Sequence, residues 1–378
     1  MAHLPQELFD TIIDEIRDKE TLKACALVAT SFLPPSQRNL FRKIRLGEHS
    51  RDTFAAFAAL AEFPRLVSYI RDLTIFMWDL VSENILAMAV ILRSVQSIEC
   101  LFVFGGFGNW SPLEDEASSV LLDCLSRPSL RRLELSNVLG IPVALILAAT
   151  TVPVVSFKHV RMDLGEDISE QLHASTPVPR LRHLILGDVA PAICDFLLHP
   201  RKLAYTQQIE RLEIKISQRS ASYDERIMAA CAATLKYLAV NPEDIIRLPL
   251  LPSVLEVEIK VWVGDDRRLP AFFSQNISQI ASSLSLAETM TLVFVVEPLH
   301  TGLEVDWPDE GPLPPFGLSF MDRTQLLHLR RVHCILRRHG ALRDMSAVFD
   351  RFVPAMESKM PGLQGTGILR CTLDDPQQ

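Results

Sequence analysis

The sequence has no C-x-x-C pair and no group of cysteines at zinc-ligand spacing. Its seven cysteines, at 25, 100, 124, 194, 231, 334 and 371, are odd in number and scattered over 378 residues. That pattern excludes a zinc module and a disulfide framework, and it reads the cysteines as small buried hydrophobes in a reducing compartment. Positive charge is also short. The 38 Lys and Arg stand against 46 Asp and Glu, a net charge of −8, so no global field exists to draw in nucleic acid or an anionic membrane. No apolar run approaches the roughly 20 residues that a bilayer span needs. The longest, Ile141 to Ala149, has a proline inside it. The opening MAHLPQELFD lacks the basic segment and apolar core of a secretory signal, so a cytoplasmic or nuclear location is expected, and the sequon Asn276-Ile277-Ser278 is read as chance.

Catalytic signatures are missing as well. There is no G-x-S-x-G elbow, H-E-x-x-H pair, Walker loop or EF-hand loop, and the expectation is a chain without active site, metal or cofactor. Gly105, Gly106 and Gly108 in FGGFGNW are not followed by the lysine or threonine that a phosphate loop requires, so they read as a strand-to-helix connection. His328, His333 and His339 are five and six residues apart, which does not place them on one helical face as ligands, and they read as surface residues.

What is present is ample core material: 48% hydrophobic and 22% charged residues describe a folded, non-disordered chain, longer than one typical domain of about 150 residues. The first 46 residues have their own texture. Leu8, Ile12 and Ile16, with Phe9 and Ile13 beside them, predict one helix. Asp18 is placed to cap a second, carrying Leu22, Cys25, Ala26, Val28 and Ala29 and ending before Pro34-Pro35. Gln37 to Leu46 predicts a third. A module of about 45 residues is marginal alone and is expected to lean on a partner or on the following domain.

Beyond Phe63 the pattern becomes a recurring short strand, apolar-x-x-apolar-x-apolar. It begins at Ile70, Ile98, Leu130, Val152, Leu181, Ile209, Leu235 and Val254, with a further strand near Met290 to Val296 and helical stretches such as Ser118 to Ser126 and Arg226 to Ala233 between. The starts are 19 to 32 residues apart, which straddles the spacing of leucine-rich repeats. A doubly wound α/β domain is the competing reading. It is weakened because these strands alternate, leaving one side polar, and because no Gly-rich phosphate turn follows any of them. Residues 300–319 are acidic and proline-rich and read as a surface loop. The segment 320–378 is expected to hold a helix over Met321 to Arg338, a second over Ala341 to Met356 and a closing strand over Ile368 to Leu373. The run with Arg323, Arg330, Arg331, Arg337, Arg338 and Arg343 offers either a nucleic-acid or headgroup contact, or a capping helix facing Glu304, Asp306, Asp309 and Glu310.

The N-terminal stretch resembles the F-box in the form found in many fungal proteins. The resemblance covers about 45 residues: Leu4, Pro5, Glu7, Leu8, Ile12 and Ile13, then Cys25, Leu27, Val28, Ser31 and Phe32, then Leu40, Phe41 and Leu46. Phe32 stands where many members carry tryptophan, and Thr30-Ser31 where Ser-Arg is frequent. An F-box followed by leucine-rich repeats is a common combination. It implies an α/β chain with a three-helix F-box over 1–46, a linking helix over 47–68 and an irregular leucine-rich-repeat-like solenoid, a horseshoe, over 69–299. It also implies a non-catalytic substrate receptor of a ubiquitin ligase, docking a Skp-family adaptor and its cullin through Leu4, Pro5, Leu8, Leu27 and Val28. Ile12, Ile16, Cys25 and Phe41 are expected to pack inside the helical module instead. An unidentified protein target would meet the strand face through Phe102, Arg132, Glu134, His183, Arg211, Glu213, Tyr237 and Glu256. The alternative is a repeat scaffold that binds a protein or, less readily, nucleic acid outside any ligase.

Overall fold

In the computed structural model the described residues are 5–47, 58–60, 62–77, 82–106, 110, 115–162, 178–188, 191–217, 220–263, 276, 279–280, 282–296, 328–338, 345–360, 363 and 367–374. The chain divides into two compact units, Met1–Leu181 and Arg182–Gln378, a boundary that falls inside the repeat region expected over 69–299. Both are mixed α/β. No helix among the described residues is long and apolar enough to cross a membrane.

The first unit opens with α1 (Gln6–Asp14), α2 (Lys19–Val28) and α3 (Leu33–Phe41). Asp18 caps α2 as its position suggests: its carboxylate accepts from the Thr21 amide at 2.7 Å. The third helix differs from expectation at both ends. It starts four residues earlier, because Pro34 and Pro35 sit in its first turn, where a missing N–H leaves no bond unmade. It ends five residues earlier, because Lys43–Leu46 is strand β1, with Ile44 and Leu46 buried and Lys43 and Arg45 exposed. Alternation of period two pairs this segment with the next strand instead of prolonging the helix.

After the short helix α4 (Pro64–Val67), strands and helices take turns: β2 (Asp72–Phe76), α5 (Ser82–Ser94), β3 (Cys100–Phe104), α6 (Asp115–Leu125), β4 (Arg132–Ser136), α7 (Val143–Ala149) and β5 (Val154–Lys158). Each strand of the unit is parallel to the next in sequence, β1 to β5 in order. The second unit repeats the scheme with β6 (His183–Gly187), α8 (Pro191–Leu197), α9 (Leu203–Thr206), β7 (Arg211–Ile216), α10 (Ala221–Cys231), β8 (Tyr237–Pro242), β9 (Glu256–Val263), β10 (Thr289–Val296), β11 (Arg331–Arg338), α11 (Met345–Lys359) and β12 (Leu369–Asp374). Its strands too are parallel and in sequence order, β6 to β12.

An order without reversal decides against the doubly wound alternative. Parallel crossovers share one hand, so strands added in sequence within a unit carry their helices on the same side, whereas a doubly wound sheet reverses direction to cover both. One face of most strands therefore enters the core and the other is less covered, whereas β10 is buried on both faces from Leu292 to Val296. Leu73, Leu101, Leu133 and Val155 stand abreast as one buried row of the first unit, with Ile75, Val103, Leu135 and Phe157 as the next. In the second unit Leu184, Leu212, Leu238, Val257, Met290 and Val332 form the equivalent row.

The expected helix over Met321 to Arg338 is a further correction, since its described C-terminal half is strand β11. Leu329, Val332 and Leu336 satisfy a helical spacing, but Val332, Cys334 and Leu336 also alternate with Arg331, His333 and Ile335. Eight residues of β10 lie alongside to accept that alternation. The second C-terminal helix lies at Met345–Lys359, and the closing strand falls where expected, at Leu369–Asp374. The acidic segment 300–319 lies outside the described residues.

Candidate functional site

Two kinds of surface stand out: an apolar one on the opening helices and a polar one on the outer strand faces. On the helices the small core takes Ile13 and Leu22, with Pro35 and Ser36. Asn39 donates to the Ile13 carbonyl at 3.1 Å, and Arg38 meets Asp14 at 3.1 Å, fixing α3 against the end of α1. At the other end of α1, Gln6 donates to the Ser31 carbonyl at 2.9 Å, and the Phe9 and Phe32 rings meet edge to face at 5.1 Å. These links hold the first turn of α1 to the turn after α2. Around them large apolar side chains remain in solvent: Leu27 is 88% exposed, Val28 72%, Ile12 57% and Leu8 48%. Pro5 is exposed, and Leu4 lies outside the described residues. Ile12 is a correction to its expected packing role: a nine-residue helix needs only Ile13, with Phe9 and Ile16 half-buried, to seat itself, and Ile12 points away. Cys25 and Phe41 are half-buried.

On the outer face of the first unit, Phe102 lies between Thr74 and Glu134 in register, and the Arg132 guanidinium sits over its ring at 5.7 Å. Phe76 and Phe104 stack at 5.2 Å. Glu134, an expected target contact, is 7% exposed and held by Lys158 at 2.8 Å and Arg132 at 3.5 Å. Its charge is already engaged, so what this face presents outward is aromatic rings edged by cations. Cys100 on the same face is pushed up to about 11 by burial and by Asp72 beside it, which keeps it a neutral thiol.

The second unit brings four of the sequence-selected residues into one row. His183, Arg211, Tyr237 and Glu256 stand abreast across β6 to β9. In the next row His183 reaches Glu213 at 3.0 Å, Glu213 and Glu258 share Lys260 at 3.8 and 3.5 Å, and the Tyr237 hydroxyl donates to Glu258 at 2.9 Å. The His183 hydrogen bond and the Lys260 charge outweigh burial and hold Glu213 below the usual carboxylate range. Burial and Glu258 push the Tyr237 phenol well above its ordinary value. At β11 and β12 the polarity turns cationic: Arg331, His333 and Arg370 share the outer face, with His333 bonded to Thr372 at 2.7 Å and held below its usual value by burial and both arginines. Arg337 is engaged by Asp374 at 2.8 Å.

One cluster was not visible in the sequence. At the C-terminal ends of β6 to β8, Lys215 bridges Asp188 at 2.7 Å and Glu243 at 2.8 Å. Nearby Asp224, only 4% exposed on the first turn of α10, is raised to about 7, chiefly by burial and secondarily by Asp188. These residues are 9 to 55 positions apart in sequence and lie on different elements, so no local spacing relates them. The glycine loop after β3 has a packing role. A Cβ on Gly105 would lie 2.6 Å from the Asn137 carbonyl oxygen, so glycine lets this turn pass against the end of β4. Among the described residues no group of three His, Cys, Asp or Glu could hold a metal ion. No protein-family model matches the chain, and no curated protein matches it.

Proposed function

We propose that the chain is the substrate-receptor subunit of a Skp-cullin-F-box ubiquitin ligase, with α1 to α3 docking the adaptor and the outer strand faces holding a protein target. The exposure of Leu27 and Val28 at the end of α2, with Leu8 and Ile12 on α1, is the observation that carries the reading. An apolar group of this kind on so small a helical module is suited to burial against a partner, and each side chain would contribute on the order of 1.5 to 3 kcal/mol before the costs of association. Leu8, Leu27 and Val28 are among the residues that the F-box resemblance assigns to the adaptor, and Ile12 adds to them. The chain itself would do no chemistry: it supplies proximity between target and ligase.

The exposed positions make the test clean. Leu8→Asp and Leu27→Asp place a carboxylate where water already is, so the helices stay folded, but an adaptor groove would have to bury an unpaired charge. The wild-type chain is expected to co-purify with a Skp-family adaptor, and either substitution to reduce that at least tenfold. Absence of the adaptor from the wild-type preparation, or its persistence with both variants, overturns the proposal. Ile13→Asp serves as the unfolding control.

A scaffold role outside any ligase is the second reading, favoured by Arg331 and Arg370 flanking His333 on the outer face of β11 and β12. Its test is salt-dependent retention of RNA or an acidic protein, lost in the Arg331→Gln, Arg370→Gln double variant.

A further inference from the structure

We infer that Cys334 and Cys371 form a dithiol site that a hydroperoxide converts to an interstrand disulfide, fastening the final strand of the second unit to its neighbour. The two residues are direct register partners on parallel strands β11 and β12, between the pairs Val332 with Leu369 and Leu336 with Leu373. Side chains abreast in a parallel pair point to the same face, here the inward one. Neighbouring strands lie about 4.8 Å apart, inside the roughly 4.4 to 6.8 Å over which Cα atoms accept a disulfide. No other cysteine is so placed among the described residues: the partners of Cys100 are Asp72 and Arg132, and Cys25, Cys124, Cys194 and Cys231 lie on helices.

The pair is asymmetric in a way that assigns an order of events. Cys334 is buried and Cys371 is half-exposed on the last strand. The Cys371 sulfur beside it and burial push the Cys334 thiol up, the neighbouring Cys334 thiol holds Cys371 below its usual value, and Cys371 is the one of the two that solvent reaches. Cys371 is therefore the first nucleophile. Its thiolate attacks the outer oxygen of the hydroperoxide and the O–O bond breaks. Cys371 becomes a sulfenic acid, and the departing hydroxide or alkoxide takes up a proton and leaves as water or alcohol. The Cys334 sulfur then attacks the Cys371 sulfur, the S–O bond breaks, and the leaving hydroxide takes the Cys334 proton as water. Two thiols are oxidised by two electrons, which reduce the peroxide. Strand β12 is half-buried or exposed along its whole length, so a covalent tie to β11 adds a constraint that its packing does not supply.

The test is a peptide map of the reduced full-length chain after hydrogen peroxide, alkylation and trypsin digestion without reductant. The expected result is loss of two of the seven alkylatable thiols and a linked species joining residues 332–337 to 371–378, abolished by dithiothreitol. In Cys334→Ser the linked species disappears and Cys371 accumulates as sulfenic or sulfinic acid, whereas in Cys371→Ser the Cys334 thiol survives. Recovery of wild-type Cys371 as sulfinic acid with Cys334 still alkylatable, or of both as free thiols, overturns the proposal. The wild-type map decides this even where a variant fails to fold.

Discussion

The guanidinium of Arg211 lies over the ring of Tyr237, 3.9 Å from its centroid, while the hydroxyl of the same ring donates to Glu258. The ring thus joins a cation on β7 to a carboxylate on β9, through a residue that the register places directly between the two strands. Arg211→Leu and Tyr237→Leu are expected each to lower stability by about 1 kcal/mol, with a coupling of about 0.5 to 1 kcal/mol in the double variant. Urea unfolding of the four proteins checks it, and strict additivity would show that the stacking contributes nothing.

Glu134 depends on Lys158 for compensation of a nearly buried charge. Lys158→Met leaves the carboxylate with Arg132 alone and is expected to destabilise by about 1 kcal/mol, a figure held down because the lysine side chain is 43% exposed. Glu134→Leu together with Lys158→Met removes both charges and is expected to recover most of that loss. Thermal unfolding of the two variants and the wild type measures the difference.

Asp224 should tilt the pH dependence of stability. Its folded value of about 7 lies above the ordinary 3.8, so between these limits the folded state holds the proton more tightly than the unfolded chain. The group's contribution is fully present below pH 3.8 and is lost as pH rises toward 7, by up to about 4 kcal/mol in order of magnitude. Asp224→Asn, which cannot ionise, is expected to flatten this part of the profile and to be more stable than wild type at pH 8. Denaturant midpoints across that range test the sign.

Glu213 acts in the opposite sense. His183 and Lys260 hold its folded value down, so its contribution is present above the unfolded value near 4.5 and is lost as pH falls through the folded one. His183→Gln is expected to lower stability at pH 7 and to shrink the loss on acidification. Comparing denaturant midpoints of variant and wild type from pH 7 to pH 3 tests this.

Gly105→Ala brings a methyl group against the Asn137 carbonyl at 2.6 Å and the Val138 side chain at 2.8 Å. Backbone cannot step aside as a flexible side chain does, and a cost of about 1 to 3 kcal/mol is expected. A melting temperature unchanged from wild type would show that the turn yields freely.

Much of the strand array was legible because its signal is local. Leu73 with Ile75, Leu101 with Val103 and Leu133 with Leu135 each announce a strand with one buried face, and the structure stacks them in register. The row of His183, Arg211, Tyr237 and Glu256 followed from the same alternation. The basic segment before Arg338 was misread as helix because Val332 and Leu336 fit both periods, and only the neighbouring β10 distinguishes them. Ile12 was misassigned because a helical face wide enough to include it exceeds what two short neighbouring helices cover.

By itself the sequence determined which residues turn inward along most strands and where α2 begins. Those properties depend on neighbours two to four positions away, and a chain carries them wherever it goes. Tertiary structure alone decided that Cys334 lies against Cys371, that Lys215 gathers Asp188 and Glu243 beside a buried Asp224, and that Arg331 to Arg338 is a strand. Each of these rests on register between elements tens of residues apart, which is set by the pairing of whole strands and not by any spacing within one of them.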